Sequence, residues 1–286
     1  FFIFIFLTGI TMNRIVINSL LYFIIISTLI ILIFPIVWML LTAFKSTDEI
    51  FKIPPTFLPK NFSFDAFSYA LNSDMPIFFI NSIIIAFFTS LITIFVGGLA
   101  SYGISRAKHW TTNTILMFFL ASMAFPIPLL MITIYKILNL INGLDTYWAV
   151  IVGHMLITLP IVIWLMKGFI DDLPIEVEES AYIDGASIIQ IIYKIVFPMT
   201  KPGVIASAIY VFVTSWNEFI FGLSFTTSTD MRPLPAGINL VFLQEFQYQW
   251  PEMMAVATIA TLPILLMFLF LQRYFVQGVT AGAVKN

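Results

Sequence analysis

Between Asp74 and Arg106 the chain reads MPIFFINSIIIAFFTSLITIFVGGLASYGIS, so residues 75–105 include no charged side chain. A helix needs roughly 20 apolar residues to cross the hydrocarbon core of a bilayer. A barrel strand would be shorter and would alternate apolar with polar residues, which this stretch does not. Because hydrocarbon cannot satisfy open backbone groups, a helix is the expected form. The stretch therefore predicts a transmembrane helix.

Five more long apolar stretches follow, with Lys167 at the end of one and Glu218 inside another. The predicted fold is an all-α polytopic membrane protein with six transmembrane helices. Pro126 and Pro128 should kink or break the third span. Gly97 and Gly98 in the second span either mark a break beside a cavity or allow close helix packing. The predicted spans are residues 15–44, 77–104, 113–135, 147–167, 203–226 and 253–272.

The composition of the whole chain agrees with a membrane protein. Of its 286 residues, 60% are hydrophobic and 10% are charged, against about 45–50% and about 25% in a soluble domain. A net charge of −2 argues against a nucleic-acid partner. The absence of cysteine excludes disulfides, thiol catalysis and cysteine metal sites. With only His109 and His154 as imidazoles, we expect no metal site.

The distribution of Lys and Arg predicts that both termini lie inside the cell. Met12, before Asn13 and Arg14, resembles a natural start, so residues 1–11 are expected to be an upstream extension of a membrane domain over 12–286. With that topology the inner side carries Arg14, Arg106, Lys108, Lys167, Lys194, Lys201, Arg273 and Lys285, and the outer side carries Lys45, Lys52, Lys60, Lys136 and Arg232.

The inside stretch between the fourth and fifth spans, about 171–201, predicts two short helices around a turn. Asp171 or Asp172 is expected to cap the first helix, and Gly185 to end it. Ser187 and Gln190 have the spacing of a capping box for the second helix. An isolated pair of short helices is unstable in water, so it must pack on its own spans or on another protein. The apolar stripe of the second helix consists of Ile188, Ile191, Ile192 and Ile195.

This loop resembles the EAA loop of ABC-transporter permeases, E-A-A, three residues, G, nine residues, then I-x-L-P. The matching positions are Glu179, Ser180, Ala181, Asp184, Gly185, Ala186, Ile195 and Pro198, with Ser180 for alanine and Phe197 for leucine as mild departures. Other stretches resemble the carbohydrate-uptake branch of these permeases, and within it the shorter permease subunit of the maltose type. They are Asn81-Ser82, Ala100–Gly103, Leu173-Pro174, Trp216–Phe219, Pro233–Pro235, Gln272–Tyr274 and Thr280–Lys285.

The resemblance implies that the first loop helix is a coupling helix that docks on a cytoplasmic ATPase subunit. Glu179 would meet a basic residue there, Ala181 would permit close packing, and Gly185 would set the angle between the loop helices. The resemblance also implies the partners, which are two ATPase copies that bind ATP and Mg²⁺, a second homologous permease and an external solute-binding protein. It further implies a location in a bacterial inner membrane. The tail residues implied to contact the ATPase are Ala281, Gly282 and Lys285.

The chain has no phosphate loop of the G-x-x-x-x-G-K-[ST] type, so we expect no enzyme activity and no bound cofactor. The resemblance instead implies ATP-driven import of a di- or oligosaccharide or a polyol. Trp216, Asn217 and Glu218 place hydrogen-bonding groups beside an aromatic ring, which suits a sugar pathway. The alternative is that Glu218 only stabilises a helix contact, as His154 is expected to do through an interhelical hydrogen bond.

A six-helix ion channel or ion-coupled carrier is the rival class. A channel would need a selectivity segment or spaced gating arginines, and the sequence has neither. A coupled carrier would usually bury more ionisable groups than Glu218 and His154. Dependence on ATP, against dependence on an ion gradient, distinguishes the two classes.

Overall fold

The computed structural model describes residues 14–107, 111–243 and 249–283, with side chains for 16–107, 111–242 and 249–272. The described residues form helices and turns, with no strand among them. The expected upstream extension, 1–11, lies outside these ranges, as do His109 and Lys285.

Four long apolar helices have the length and composition of membrane spans. They confirm helices at the first, second, fourth and sixth predicted stretches, although the last continues well beyond residue 272. Gly97 and Gly98 lie within an unbroken helix, so of the two alternatives for these glycines the break is wrong and close packing is confirmed. The four helices are α1 (Arg14–Ala43), α4 (Met75–Arg106), α7 (Tyr147–Asp171) and α14 (Trp250–Ala283).

Two bent helix pairs bring the number of candidate spans to as many as six. In the third predicted span, α5 (Thr111–Ser122) and α6 (Ile127–Leu140) meet at 94° just before Pro126, as the prolines predict. The other bend, of 81°, separates residues 188–199 from α11 (Lys201–Asn217). The chain is therefore a multi-pass helical membrane protein.

The fifth predicted span, 203–226, is not one continuous helix. It is divided into α11 and α12 (Ile220–Phe225), with Glu218 in an extended backbone conformation between them. The remaining short helices are α2 (Thr47–Ile50), α3 (Asp65–Asn72), α8 (Ile175–Ile183), α9 (Ile188–Ile191, continued as a π-helix over Ile192–Val196), α10 (Phe197–Met199) and α13 (Leu234–Ile238, followed by a π-helix over Asn239–Leu243).

The chain divides into two compact units, of which the smaller joins Gln249–Thr258 to the described part of Phe1–Ser68. Its core is Ala43, Ala66 and Ala255. In the segment after α1, the Glu49 carboxylate accepts hydrogen bonds from the Thr56 hydroxyl (2.7 Å) and the Lys60 backbone N–H (3.0 Å). These bonds fix the irregular segment that follows α2.

The larger unit is built on α4, α7 and α11, which pack against each other along their length. Glycines allow the close approach, because a Cβ at Gly97 would lie 2.7 Å from Val162 and one at Gly153 would lie 2.9 Å from Phe221. Small residues at helix contacts are the usual packing device in membranes, where lipid offers no hydrophobic driving force. This packing fixes the ends of α4 and α7, and these ends carry the site.

Candidate functional site

The loop between α7 and α11, residues 172–200, folds into the two helices that the sequence predicts. Helix α8 ends at Ile183, and Gly185 then turns the chain with a φ of +88°, in the left-handed region that glycine adopts without strain. Ser187 then begins α9 with a complete capping box, in which its hydroxyl accepts from the Gln190 N–H and Gln190 accepts from the Ser187 N–H. Gly185, Ser187 and Gln190 therefore have their predicted conformational roles.

The prediction of a cap on α8 is wrong for Asp171. Pro174 occupies the N-cap position of this helix. Asp171 instead belongs to α7, where its carboxylate accepts from the Ser105 hydroxyl (2.6 Å) and from Lys167 Nζ (2.5 Å). Helix α7 continues four residues past its predicted end. Asp171 therefore lies in the last turn of α7 and makes its bonds there, not at the start of α8.

The apolar stripe on α9 is shifted by one residue along the π-helix. Ile191 and Ile192 are buried as predicted, but Ile188 is exposed and Val196 is fully buried. A π-helical turn contains an extra residue compared with an α-helical turn, so each later side chain moves to a new face. Periodicity based on 3.6 residues per turn could not anticipate this shift.

The residues of the EAA-like motif divide into an outward and an inward set. Glu179, Ser180, Asp184 and Pro198 are exposed. Ala181 and Ala186 are half-buried and pack against the core formed by Ile170, Ile191 and Val196, while Ile195 is half-buried as well. The loop is thus docked on α4 and α7 on one side and free on the other.

Large apolar side chains accompany Glu179 on the free side. Tyr182 is 66% exposed and Ile183 is 84% exposed, and Ile188 and Ile189 at the start of α9 are also exposed. The sequence analysis did not identify Tyr182 and Ile183, although an apolar pair beside an acid on a short helix was the available signal. Exposed apolar groups rimmed by polar ones are typical of a protein contact.

The acid next to Glu179 has the opposite environment, which the charge pattern of α8 does not reveal. Glu178 is 7% exposed and forms an ion pair with Arg106 at the end of α4 (2.6 Å). Its other carboxylate oxygen accepts from the Tyr102 hydroxyl (2.9 Å). Adjacent glutamates on α8 therefore face the protein and the solvent, respectively.

A second polar cluster lies deep among the helices, where α11 breaks. His154 of α7 is fully buried and contacts Ser215 through Nδ1 (2.6 Å) and Glu218 through Nε2 (2.9 Å). The Glu218 carboxylate also accepts backbone N–H bonds from Ile220 (2.7 Å) and Phe221 (3.0 Å) at the start of α12. Glu218 thus satisfies amides that a broken helix would otherwise leave unpaired, and His154 has its expected interhelical bonds.

Of the three residues selected for a sugar pathway, only Asn217 is exposed. Its side-chain amide donates to the Val213 carbonyl (2.8 Å), one turn earlier. Trp216 is buried, stacks on Phe212 with ring centroids 5.9 Å apart, and donates to the Ala260 carbonyl (3.2 Å). Trp216 and Glu218 are therefore used within the protein.

At the other end of α4, Asn81 and Ser82 hold the segment before α13. The Asn81 side-chain amide donates to the carbonyls of Asp230 and Arg232 (2.9 Å each), and the Ser82 hydroxyl accepts from the Leu234 N–H (2.8 Å). Residues of two motifs that are far apart in sequence meet here.

Asp145, between α6 and α7, fixes the start of the same segment. Burial raises the pKa of the Asp145 carboxyl, but N–H bonds from Ser228 (3.0 Å) and Thr227 (2.8 Å) outweigh it and hold this pKa below its ordinary value.

Ala281 and Gly282, selected from the tail, lie in the last turn of α14, and their side chains fall outside the described residues. Within the described ranges, no three His, Asp or Glu side chains cluster closely enough to hold a metal ion.

The family model for the inner membrane component of binding-protein-dependent transport systems matches residues 93–281. The matched residues include the second half of α4, the whole 172–200 loop and the helix break at Glu218. The chain belongs to this family. As an ABC transporter permease it is a membrane subunit and not an enzyme, since the ATPase is a separate subunit.

Relatives and solved structures agree with this assignment. The permease is 33% identical to the Escherichia coli inner membrane ABC transporter permease YcjP over 90% of this chain and 93% of the relative. It is also 33% identical to the trehalose/maltose permease MalG of Thermococcus litoralis, with the same coverage. A bacterial ABC transporter involved in alginate import has the same fold, with a TM-score of 0.79 at 18% identity, over 94% of this chain and 100% of that one.

Proposed function

We propose that this permease forms half of the translocation pathway of an ATP-driven importer for a di- or oligosaccharide or a polyol. Support for a sugar comes from relatives, because the trehalose/maltose permease matches nearly the whole chain. A transporter of an acidic polysaccharide shares the fold. The complex would contain one copy of this chain, a second homologous permease, two ATPase subunits and an external binding protein.

The observation that carries the proposal is the free face of α8. Glu179 is exposed there, beside Tyr182 and Ile183, on a helix whose other face is docked on the membrane helices. An apolar patch with one acid fits a cleft that is lined by apolar groups and one basic residue. We assign α8 as the coupling helix. This end of the bundle and both termini would therefore lie on the cytoplasmic side of the inner membrane.

Energy for transport would enter through this contact. ATP and Mg²⁺ would be bound by the two partner subunits and not by this chain. Closure of the ATPase dimer would move α8, and the spans would change from inward-facing to outward-facing. Such a switch needs contacts that differ between the two states. The tail residues Ala281, Gly282 and Lys285 are proposed to reach the same ATPase dimer.

Of the three residues selected for the sugar pathway, Asn217 is the one that we propose contacts the sugar. Its side chain is exposed at the end of α11, while Trp216 and Glu218 hold the backbone on either side of it. An amide offers both a donor and an acceptor to a sugar hydroxyl. Trp216 and Glu218 would thus serve the pathway by positioning Asn217.

A mild-detergent pull-down of the tagged chain from its native membrane tests the proposal. Wild type should recover a phosphate-loop ATPase, a second permease and ATPase activity. Glu179→Lys should lose the ATPase but keep the second permease. Asp48→Lys reverses another exposed acid, on α2, and should behave as wild type. Recovery of the wild-type chain alone, without ATPase activity, would contradict the proposed function.

A further inference from the structure

One arginine connects three parts of the permease at the base of the 172–200 loop. Arg106, the last residue of α4, donates to Glu178 Oε1 of α8 from both Nε (2.8 Å) and Nη2 (2.6 Å). The same Nη2 donates to the Ile170 carbonyl (3.0 Å) and the Leu173 carbonyl (3.4 Å) at the end of α7. A single guanidinium thus binds the ends of α4 and α7 to α8.

The pair has little exposure to water and further support. The side chains of Arg106 and Glu178 are 17% and 8% exposed, and the Tyr102 hydroxyl, one turn before Arg106, donates to the second Glu178 oxygen. Charge-assisted bonds in a partly desolvated site are strong and directional. Removing one partner leaves the other charge buried and uncompensated. The contact therefore resists sliding between α8 and α4.

A second contact between the loop and α4 lies two turns before Arg106. Phe197, in the last part of the EAA-like motif, packs against Gly98, where a Cβ would lie 2.8 Å from the ring. Gly98, Tyr102 and Arg106 are spaced by four residues, so they share one face of α4. The loop is held to this face at both of its ends, by Glu178 and by Phe197.

We propose that the Arg106–Glu178 pair, with Tyr102, is the link through which movement of α8 reaches α4 and α7. This inference rests on the proposed function, in which an ATPase moves α8. Glu179 would hold the ATPase, and Glu178 would transmit its movement into the membrane. Arg106, Tyr102 and Glu178 are positioning residues in this mechanism, because none of them contacts ATP or sugar.

The test uses the purified complex in proteoliposomes that contain ATP, with the external binding protein and sugar outside. The measured quantity is sugar transported per ATP hydrolysed. Arg106→Glu and Glu178→Arg should each keep the ATPase bound, since Glu179 is intact. Each should lower the ratio roughly tenfold, within the range of ordinary coupling energies. The double variant Arg106→Glu with Glu178→Arg restores the ion pair between α4 and α8 but not the bonds to the Ile170 and Leu173 carbonyls, so it should recover part of the ratio.

Two further variants separate transmission from folding. Tyr102→Phe removes a single hydroxyl and should lower the same ratio by a smaller factor at an unchanged unfolding temperature. Lys167→Gln breaks an ion pair within α7 at the same end of the bundle and should leave the ratio at the wild-type value. A ratio lowered as much by Lys167→Gln as by Arg106→Glu would overturn the inference.

The outcomes distinguish this inference from the proposed function. If the single variants transport as wild type, the link is wrong and the coupling helix stands. If they lose the ATPase subunit and the charge exchange restores nothing, the pair only maintains the fold, and the link is again wrong. If wild type itself binds no ATPase, the proposed function fails, and the link fails with it.

Discussion

A carboxylate among apolar helices is costly unless hydrogen bonds compensate its desolvation. Glu218 receives them from His154 and from the first amides of α12. We expect Glu218→Ala to lower the free energy of unfolding by about 1–3 kcal/mol, because it leaves buried groups unpaired. Glu218→Gln keeps an acceptor oxygen and should lie between Ala and wild type. Thermal unfolding in detergent measures the order, and an unchanged unfolding temperature for Glu218→Ala would contradict this role.

Asp145 should make stability depend on acid pH. Its folded-state pKa lies below the ordinary 3.8. The contribution of its charged form is therefore complete above the ordinary pKa and is lost as the pH falls through the folded-state value. We expect the difference in unfolding temperature between wild type and Asp145→Asn to shrink below about pH 3.8. A difference that stays constant from pH 6 to pH 3 would argue against this assignment. Asn is suitable because it tolerates the φ of +59° at this position.

Much of the residue-level chemistry could be read from sequence where it is local. Ser187 and Gln190 are three residues apart, so their capping box was predictable. Glu178 was not, because its partner Arg106 is 72 residues away and the neighbouring Glu179 has the same charge. Long-range pairing depends on how α4 and α7 pack, and no local pattern encodes that.

At the scale of elements, the turn between α8 and α9 depends on Gly185. A Cβ there would meet nothing within 4 Å, so the φ of +88° is the only obstacle to a side chain. We expect Gly185→Ala to cost about 1–2 kcal/mol and to weaken recovery of the ATPase subunit in the pull-down. Gly168→Ala in α7 is a matched control, since its Cβ would also meet nothing and its backbone is helical. Equal behaviour of the two variants would mean that the turn conformation is unimportant.

The positions of the long helices were predictable because charge-free stretches of this length have one stable form in a bilayer. The interruption at Glu218 was not, since a carboxylate that caps a new helix looks in sequence like any acid in a span. The π-helix of Ile192–Val196 was missed for a similar reason. Its extra residue per turn is set by packing against Ile170, which periodicity does not report.

At the scale of the whole molecule, membership of the family makes the chain an ABC permease. In the function that we propose, the membrane helices carry the pathway, and the 172–200 loop packs on them with one face. The exposed apolar face of α8 would be its docking surface for a partner. The buried His154–Glu218 pair is satisfied within the protein, so it does not require an ion-coupled mechanism.

The most direct test of the central claim is the energy source of sugar uptake by the reconstituted complex. Proteoliposomes are loaded with ATP or with a non-hydrolysable analogue, and uptake of binding-protein-delivered sugar is followed with and without an ionophore. We expect uptake that requires ATP hydrolysis and the binding protein and is unchanged by the ionophore. Uptake that continues without ATP and stops when the ion gradient collapses would contradict it.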